Sequence, residues 1–159
     1  MTRYVPEGTV EVHLLTTATA GAPTTAQLNA GTDITASLVG DLNLPFEGSA
    51  VDAADMSSKF NATVDGDFGG QPGTFTIQKE KAYASDTTFI ALPRGTTGYL
   101  AVANRGLQTP GTWAINDYVD LIPITVLSRT TQFGRGASMK AAIQVAITAV
   151  PLEDYKVLS

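Results

Sequence analysis

Asp52 and Asp55 stand three residues apart, with Glu47 close by. Paired carboxylates are the minimum apparatus for acid–base cleavage of a glycoside, so these three are the candidate residues of a hydrolase reading. The stretch around them has no hydrophobic period that would build a pocket, and no residue is assigned as catalytic. Asp65-Gly66-Asp67, followed by Gly69 and Gly70, hints at a calcium loop. Such a loop of the EF-hand type closes with a bidentate Glu at position 12, and counting from Asp65 puts Thr76 there. A Gly-rich acidic turn is the better reading, and no metal ligand and no cofactor is assigned. His13 is the single histidine. Alternation puts it on one strand face with Glu11, an arrangement suited to proton exchange, but no nucleophile stands nearby and a surface or interface histidine is expected. One histidine excludes a multi-histidine metal site within the chain, and the absence of Cys excludes disulfides and thiol nucleophiles. Gly134-Arg135-Gly136 before Ser138 and Lys140 does not have phosphate-loop spacing and reads as a hairpin connection. Asn61-Ala62-Thr63 fits a glycosylation sequon, which matters only in a secreted eukaryotic chain.

The elements that must carry these residues are strands. The chain has 159 residues, 43% hydrophobic and 16% charged, with a net charge of −5. That length predicts one domain over 1–159. No run approaches the roughly 18 apolar residues of a membrane span, no apolar leader follows the first charge, and no basic block offers a phosphate-neutralising surface. Apolar residues recur with period 2 far more often than 3.6. Val10, Val12 and Leu14 alternate with Glu11, His13 and Leu15 as a half-buried strand. Phe75 and Ile77 oppose a polar face of Thr74, Thr76, Gln78 and Glu80. Tyr99–Ala103, Val119–Leu127 and Ile143–Ala149 are further strands, with a weaker one over Ile34–Val39. The Val119–Leu127 run is apolar at successive positions and should be buried on both sides. Two short helices are expected, one after Pro23-Thr24 and one capped by Ser85-Asp86 with Phe89, Ile90 and Leu92 inward and Pro93 ending it.

Two features point outward. From Leu44 to Gly73 the chain is rich in Gly, Asp, Ser and Ala and carries Phe46, Met56, Phe60 and Phe68 without a period. A segment of that length is either an arm that docks on something or hides a strand, for example over Ser49–Lys59. Pro123 interrupts the most apolar strand and so belongs at a sheet edge or a bulge. An apolar edge invites pairing with another chain. Leu121, Ile122, Pro123 and Ile124 join the four arm residues as candidate subunit contacts.

Taken in order, VPEGTVEVHLL (5–15), PTTAQLNAGTDIT (23–35), EGSAVDAADMSSKFNATVDGDFGGQP (47–72), LPRGTTGYLAVANRG (92–106) and DYVDLIPITVLSR (117–129) resemble the major tail, or tail tube, proteins of long-tailed siphovirus-type bacteriophages of actinobacteria. AGTDIT, AADMSSKF and LPRGTTGY are the most telling segments. The resemblance implies a mainly β chain: an antiparallel two-sheet β-sandwich or barrel with one or two short flanking helices and a long inter-strand loop, the tube fold shared with type VI secretion. It implies a non-enzymatic structural virion protein, made in the host cytoplasm, whose hexameric rings stack into the tail tube that conducts the genome. The long loop, reaching across subunits or rings, would fall at 44–73. The implied partners are further copies of the chain, the tape measure and tail terminator proteins, and double-stranded DNA that passes without specific binding; no membrane is involved. Six copies at −5 would give a ring of −30. A conduit should not grip a polyanion, so bore-facing positions should be acidic, small or polar, and Thr74, Thr76, Gln78 and Glu80 are the candidate lumen face. Another small β-rich virion part, in head–tail joining, head decoration or the baseplate, is the alternative, and the carboxylate hydrolase is a remote one.

Overall fold

The computed structural model describes the backbone of residues 10–52 and 63–159, with side chains for 10–47 and 69–159. In chain order its elements are β1 (Val12–Leu15), α1 (Thr25–Asn29), β2 (Thr32–Asp33), β3 (Leu38–Asn43), β4 (Phe46–Asp52), β5 (Thr63–Gly70), β6 (Gly73–Gln78), α2 (Thr87–Ala91), β7 (Thr97–Val102), β8 (Tyr118–Gln132), β9 (Lys140–Ile147) and β10 (Leu152–Lys156). The strands are antiparallel. One sheet runs β2-β1-β7-β8-β9-β6-β3, with β10 also paired to β8, and β4 and β5 pair only with each other. The predicted mainly β, sandwich-like architecture with short flanking helices is what the chain adopts.

β8 is the strand common to both hydrophobic cores. It pairs with β7 over Asp120–Thr125, with β10 over Tyr118–Leu121, and with β9 from Ile124 to Gln132. Its burial changes face along its length, because alternate residues point to opposite sides. Val119 and Leu121 enter one core with Leu15, Leu28, Ala101, Trp113 and Val157. Ile124 and Val126 enter the other, with Leu14, Phe75, Ile77, Leu100, Ile143 and Val145. The expectation that Val119–Leu127 is buried on both sides therefore needs correction. Each half is buried on one side, and Leu127 is exposed.

Pro123 is not at a sheet edge. It lies opposite Tyr99 of β7, and its carbonyl accepts from Thr148 N at 3.1 Å on the other side. The missing N–H faces that same side, at the gap where β8 exchanges β10 for β9. A proline fits there because no strand claims the donor.

The helices are single turns held by docking. Thr24 and Gln27 close a capping box, Gln27 N donating to Thr24 Oγ1 at 3.3 Å and Thr24 N to Gln27 Oε1 at 3.2 Å. Leu28, fully buried, anchors α1. Before α2, Asp86 occupies the cap position without a side-chain cap bond. Leu92 is buried and Phe89 packs on the core as expected, but Ile90 points to solvent. The weak strand at Ile34–Val39 is instead a 3-10 turn (Thr35–Ser37) leading into β3. In β1 both faces are covered, so His13 is buried rather than at the surface.

Candidate functional site

The segment 44–73 is not a structureless loop where the structure describes it. β4 and β5 form a hairpin outside the main sheet, with Phe46 opposite Gly70 and Asp52 opposite Thr63. Its base is pinned by Gln71 N donating to Pro45 O at 3.2 Å. Gly70 lies so close to the body that a Cβ there would stand 2.6 Å from Ile147 Cβ. Asp65-Gly66-Asp67, expected as a turn, runs inside β5. Phe46 is half-buried over a groove lined by Leu44, Ile122 and Pro151. Met56 and Phe60 lie outside the described residues, as do Asp55 and Asn61, and so does the Phe68 side chain.

The other candidate contacts fare unevenly. Leu121 and Ile124 are 1% and 2% exposed, packed in the chain's own two cores, so they are not available to a neighbouring subunit. Ile122 and Pro123 are half-buried and keep some outward surface. Of the carboxylates of the hydrolase reading, Glu47 and Asp52 are held apart by β4, and Asp55 lies outside the described residues. Glu47 is exposed near the base of the hairpin and Asp52 lies at its far end. Five residues of strand separate them by about 17 Å, beyond the carboxyl spacings of roughly 5–9.5 Å that glycosidases use.

The polar face predicted on β6 is real and wider than the sequence suggested. Thr74 and Gln78 are exposed and Thr76 half-buried, with Glu80 exposed just beyond the strand end. Register extends this face across four strands. Thr74 lies beside Gln144 of β9 and Asn43 of β3, and Gln144 beside Ser128 of β8. Thr76 lies between Val39 and Ala142, two apolar neighbours that interrupt the polar face, and Ala142 lies beside Thr130; Gln78 lies beside Lys140, and Lys140 beside Gln132. Ser128 Oγ and Gln144 Oε1 are 3.3 Å apart. Lys140 is the one cation in these three rows. On the opposite face of β8, Arg129 turns away to donate to Phe89 O at 2.9 Å and to lie 4.2 Å from the Phe89 ring centre, which Lys79 also approaches at 3.7 Å.

Sequence reasoning missed a set of exposed apolar side chains. Phe133 is 82% exposed in the β8–β9 connection. Tyr83 and Met139 line an open depression of about 540 Å³ together with Lys79 and Asp86. The available signal was Phe133 standing against Gly134-Arg135-Gly136, an aromatic where a hairpin tip is ordinarily polar.

A β framework that presents a hairpin beside the main sheet, a polar sheet face and exposed apolar tips offers surfaces suited to contact. The chain belongs to the phage tail tube protein family, whose model, described as "Phage tail tube protein", matches residues 1–159. It is a structural protein of the phage virion, and its place is the tail. A solved structure described as "Tail of empty GTA particle computed with helical refinement, C6 symmetry" shares the fold, with a TM-score of 0.57 at 9% identity over 97% of this chain and 100% of that one. No curated protein matches the sequence. Among the described residues no helix is long and apolar enough to cross a membrane.

Proposed function

We propose that copies of this chain close into hexameric rings and that the rings stack into the tail tube through which the phage genome leaves. The observation that carries this reading is the four-strand face of Asn43, Thr74, Thr76, Gln78, Ser128, Thr130, Gln132 and Gln144. A broad, solvent-facing sheet surface of uncharged polar side chains is what a bore for a polyanion calls for. Thr74, Thr76, Gln78 and Glu80 then line the lumen, with Lys140 the sole opposing charge. The similarity to a C6-symmetric tail supports six as the ring number. Closure within a ring and open repetition between rings need two different contact sets on one domain. The β4–β5 hairpin, carrying Phe46 and Phe68 and leading to Met56 and Phe60, supplies one, with the half-buried surface of Ile122 and Pro123 beside it. Tape measure and tail terminator proteins are the further partners of such a tube, and DNA passes through it without being specifically bound. The subunit is made in the host cytoplasm before it enters the tail, and the siphovirus type is the particular phage class proposed.

Deletion of 46–70, with a short Gly-Ser link from Pro45 to Gln71, tests this. Those two residues already meet through a backbone hydrogen bond, so the sheet keeps its circular dichroism. Negative-stain microscopy of the concentrated intact chain then shows six-fold rings or tubes, and the deleted chain shows none. An intact chain that stays monomeric at every concentration overturns the tube reading, and a deleted chain that still stacks overturns the role of the hairpin.

A further inference from the structure

His13 is buried without hydrogen-bond support. Its side chain is 4% exposed, and neither imidazole nitrogen has a hydrogen-bond partner among the described residues. A buried polar group left in that state is costly unless something else meets it. Two carboxylates are aimed at the same place. Period 2 sets Glu11 on the face of His13, and the β1–β2 register puts Asp33 directly across from it. One ligand atom from each of the three lies within 4.8 Å of the others, and Glu11 Oε2 is 3.7 Å from His13 Nε2. That is too long for a hydrogen bond. It is close to the separation of about 3.4 Å between neighbouring ligands on a tetrahedral ion with bonds of about 2.1 Å.

The carboxylates are also oriented from behind. Both Glu11 oxygens accept from Gly111 N at 2.9 Å, and Asp33 Oδ1 accepts from Thr35 N at 2.9 Å, which leaves lone pairs on each free. A depression of about 400 Å³ lined by Glu11, Asp33, Thr35 and Pro110 provides an entry path and room for a water. On the inner side the Trp113 ring meets the imidazole edge-on at 5.7 Å.

We propose that Glu11, His13 and Asp33 form a binding site for a divalent transition-metal ion of the Zn²⁺ class, with His13 Nε2 and one oxygen from each carboxylate as ligands and a water completing the set. Two carboxylates balance the ion's charge, and the imidazole selects it over Mg²⁺ and Ca²⁺, which prefer oxygen alone. The ion ties the edge strand β2 to β1 and, through the Glu11–Gly111 bonds, to the loop before β8. This site is independent of the tube reading.

The test is calorimetric titration of the chelator-treated full-length chain with ZnCl₂, with Co²⁺ absorption as the optical readout. One ion binds per chain, Mg²⁺ does not compete, and Zn²⁺ raises the melting temperature. Asp33→Asn keeps the acceptor for Thr35 N, and Glu11→Gln keeps one for Gly111 N. Each weakens Zn²⁺ binding by about tenfold or more, and His13→Gln abolishes it. Should His13→Gln fail to fold, the two carboxylate variants decide alone. Absence of stoichiometric binding, or unchanged affinity in both carboxylate variants, overturns the site.

Discussion

Asp117 holds the loop between β7 and β8, and its removal has a calculable cost. The carboxylate is buried at 2% exposure. Oδ2 accepts from Ala114 N at 2.8 Å, and Oδ1 accepts from Gln108 N at 3.2 Å and Gln108 Nε2 at 3.0 Å. Asp117→Ala strands the Ala114 amide, next to the buried Trp113, whereas the exposed Gln108 can turn its N–H and side chain to water. Hydrogen bonds to a charged acceptor contribute about 1.5–3 kcal/mol each, and stranded donors cost about as much. One such amide sets the expected loss at roughly 1.5–3 kcal/mol. For a chain of this size that lowers the melting temperature by about 3–12 °C. Asp117→Asn retains one acceptor and turns an amide toward the second donor, so it should lose about half as much. Trp113 is the only tryptophan, so its fluorescence follows this loop while circular dichroism follows the sheets. An Asp117→Ala chain within about 0.5 kcal/mol of the parent, with unchanged Trp113 emission, would refute the reasoning.

Other expectations follow from equally local features. A Cβ at Gly98 would stand 2.4 Å from Leu15 O, so Gly98→Ala must part β1 from β7 at a cost of about 1–3 kcal/mol, visible as faster amide exchange confined to those strands. Asn116 has a φ of 76°; Asn116→Gly should be near neutral in chemical denaturation, whereas Asn116→Val should lose roughly 1–2 kcal/mol. Asp154 lies at the surface, and its hydrogen bonds from Arg105 hold its carboxyl below the ordinary range, outweighing the opposing desolvation. The native carboxyl thus binds its proton more weakly than the unfolded one. Its contribution is present above the unfolded value of about 3.9 and is lost as pH falls through the lower native value. The melting-temperature gap between parent and Arg105→Gln should accordingly be small at neutral pH and close in acid.

The sequence was most legible where one sheet face is dry. β6 and β9 alternate cleanly because Phe75, Ile77, Ile143 and Val145 all enter one core while their neighbours face water. The short helices were readable from Pro23, Leu92 and Pro93, whose effects are local, while the Thr24–Gln27 capping box emerged only in the structure. β10 was not, because Leu152–Lys156 is largely polar, carries a register shift, and has Asp154 at a φ of 48°. β4 and β5 were hidden for a related reason: they pair with each other rather than with the main sheet, and their Gly, Asp and Ser residues carry no apolar period. Pro123 was misjudged because its tolerance depends on where β9 ends and β10 begins, which no local pattern records. His13 and Glu11 could be placed on one face from alternation alone, but Asp33 comes to them only through register, and Trp113 only through tertiary packing.

β8 has a mechanical consequence. Because one fifteen-residue strand is hydrogen-bonded to β7 and β10 along its first part and to β9 along the rest, neither core can come apart without disturbing the strand that closes the other. The molecule should therefore melt as one cooperative unit, and a load applied at one end of β8 should pass along its ladder bonds to the other end instead of opening a seam between the two cores.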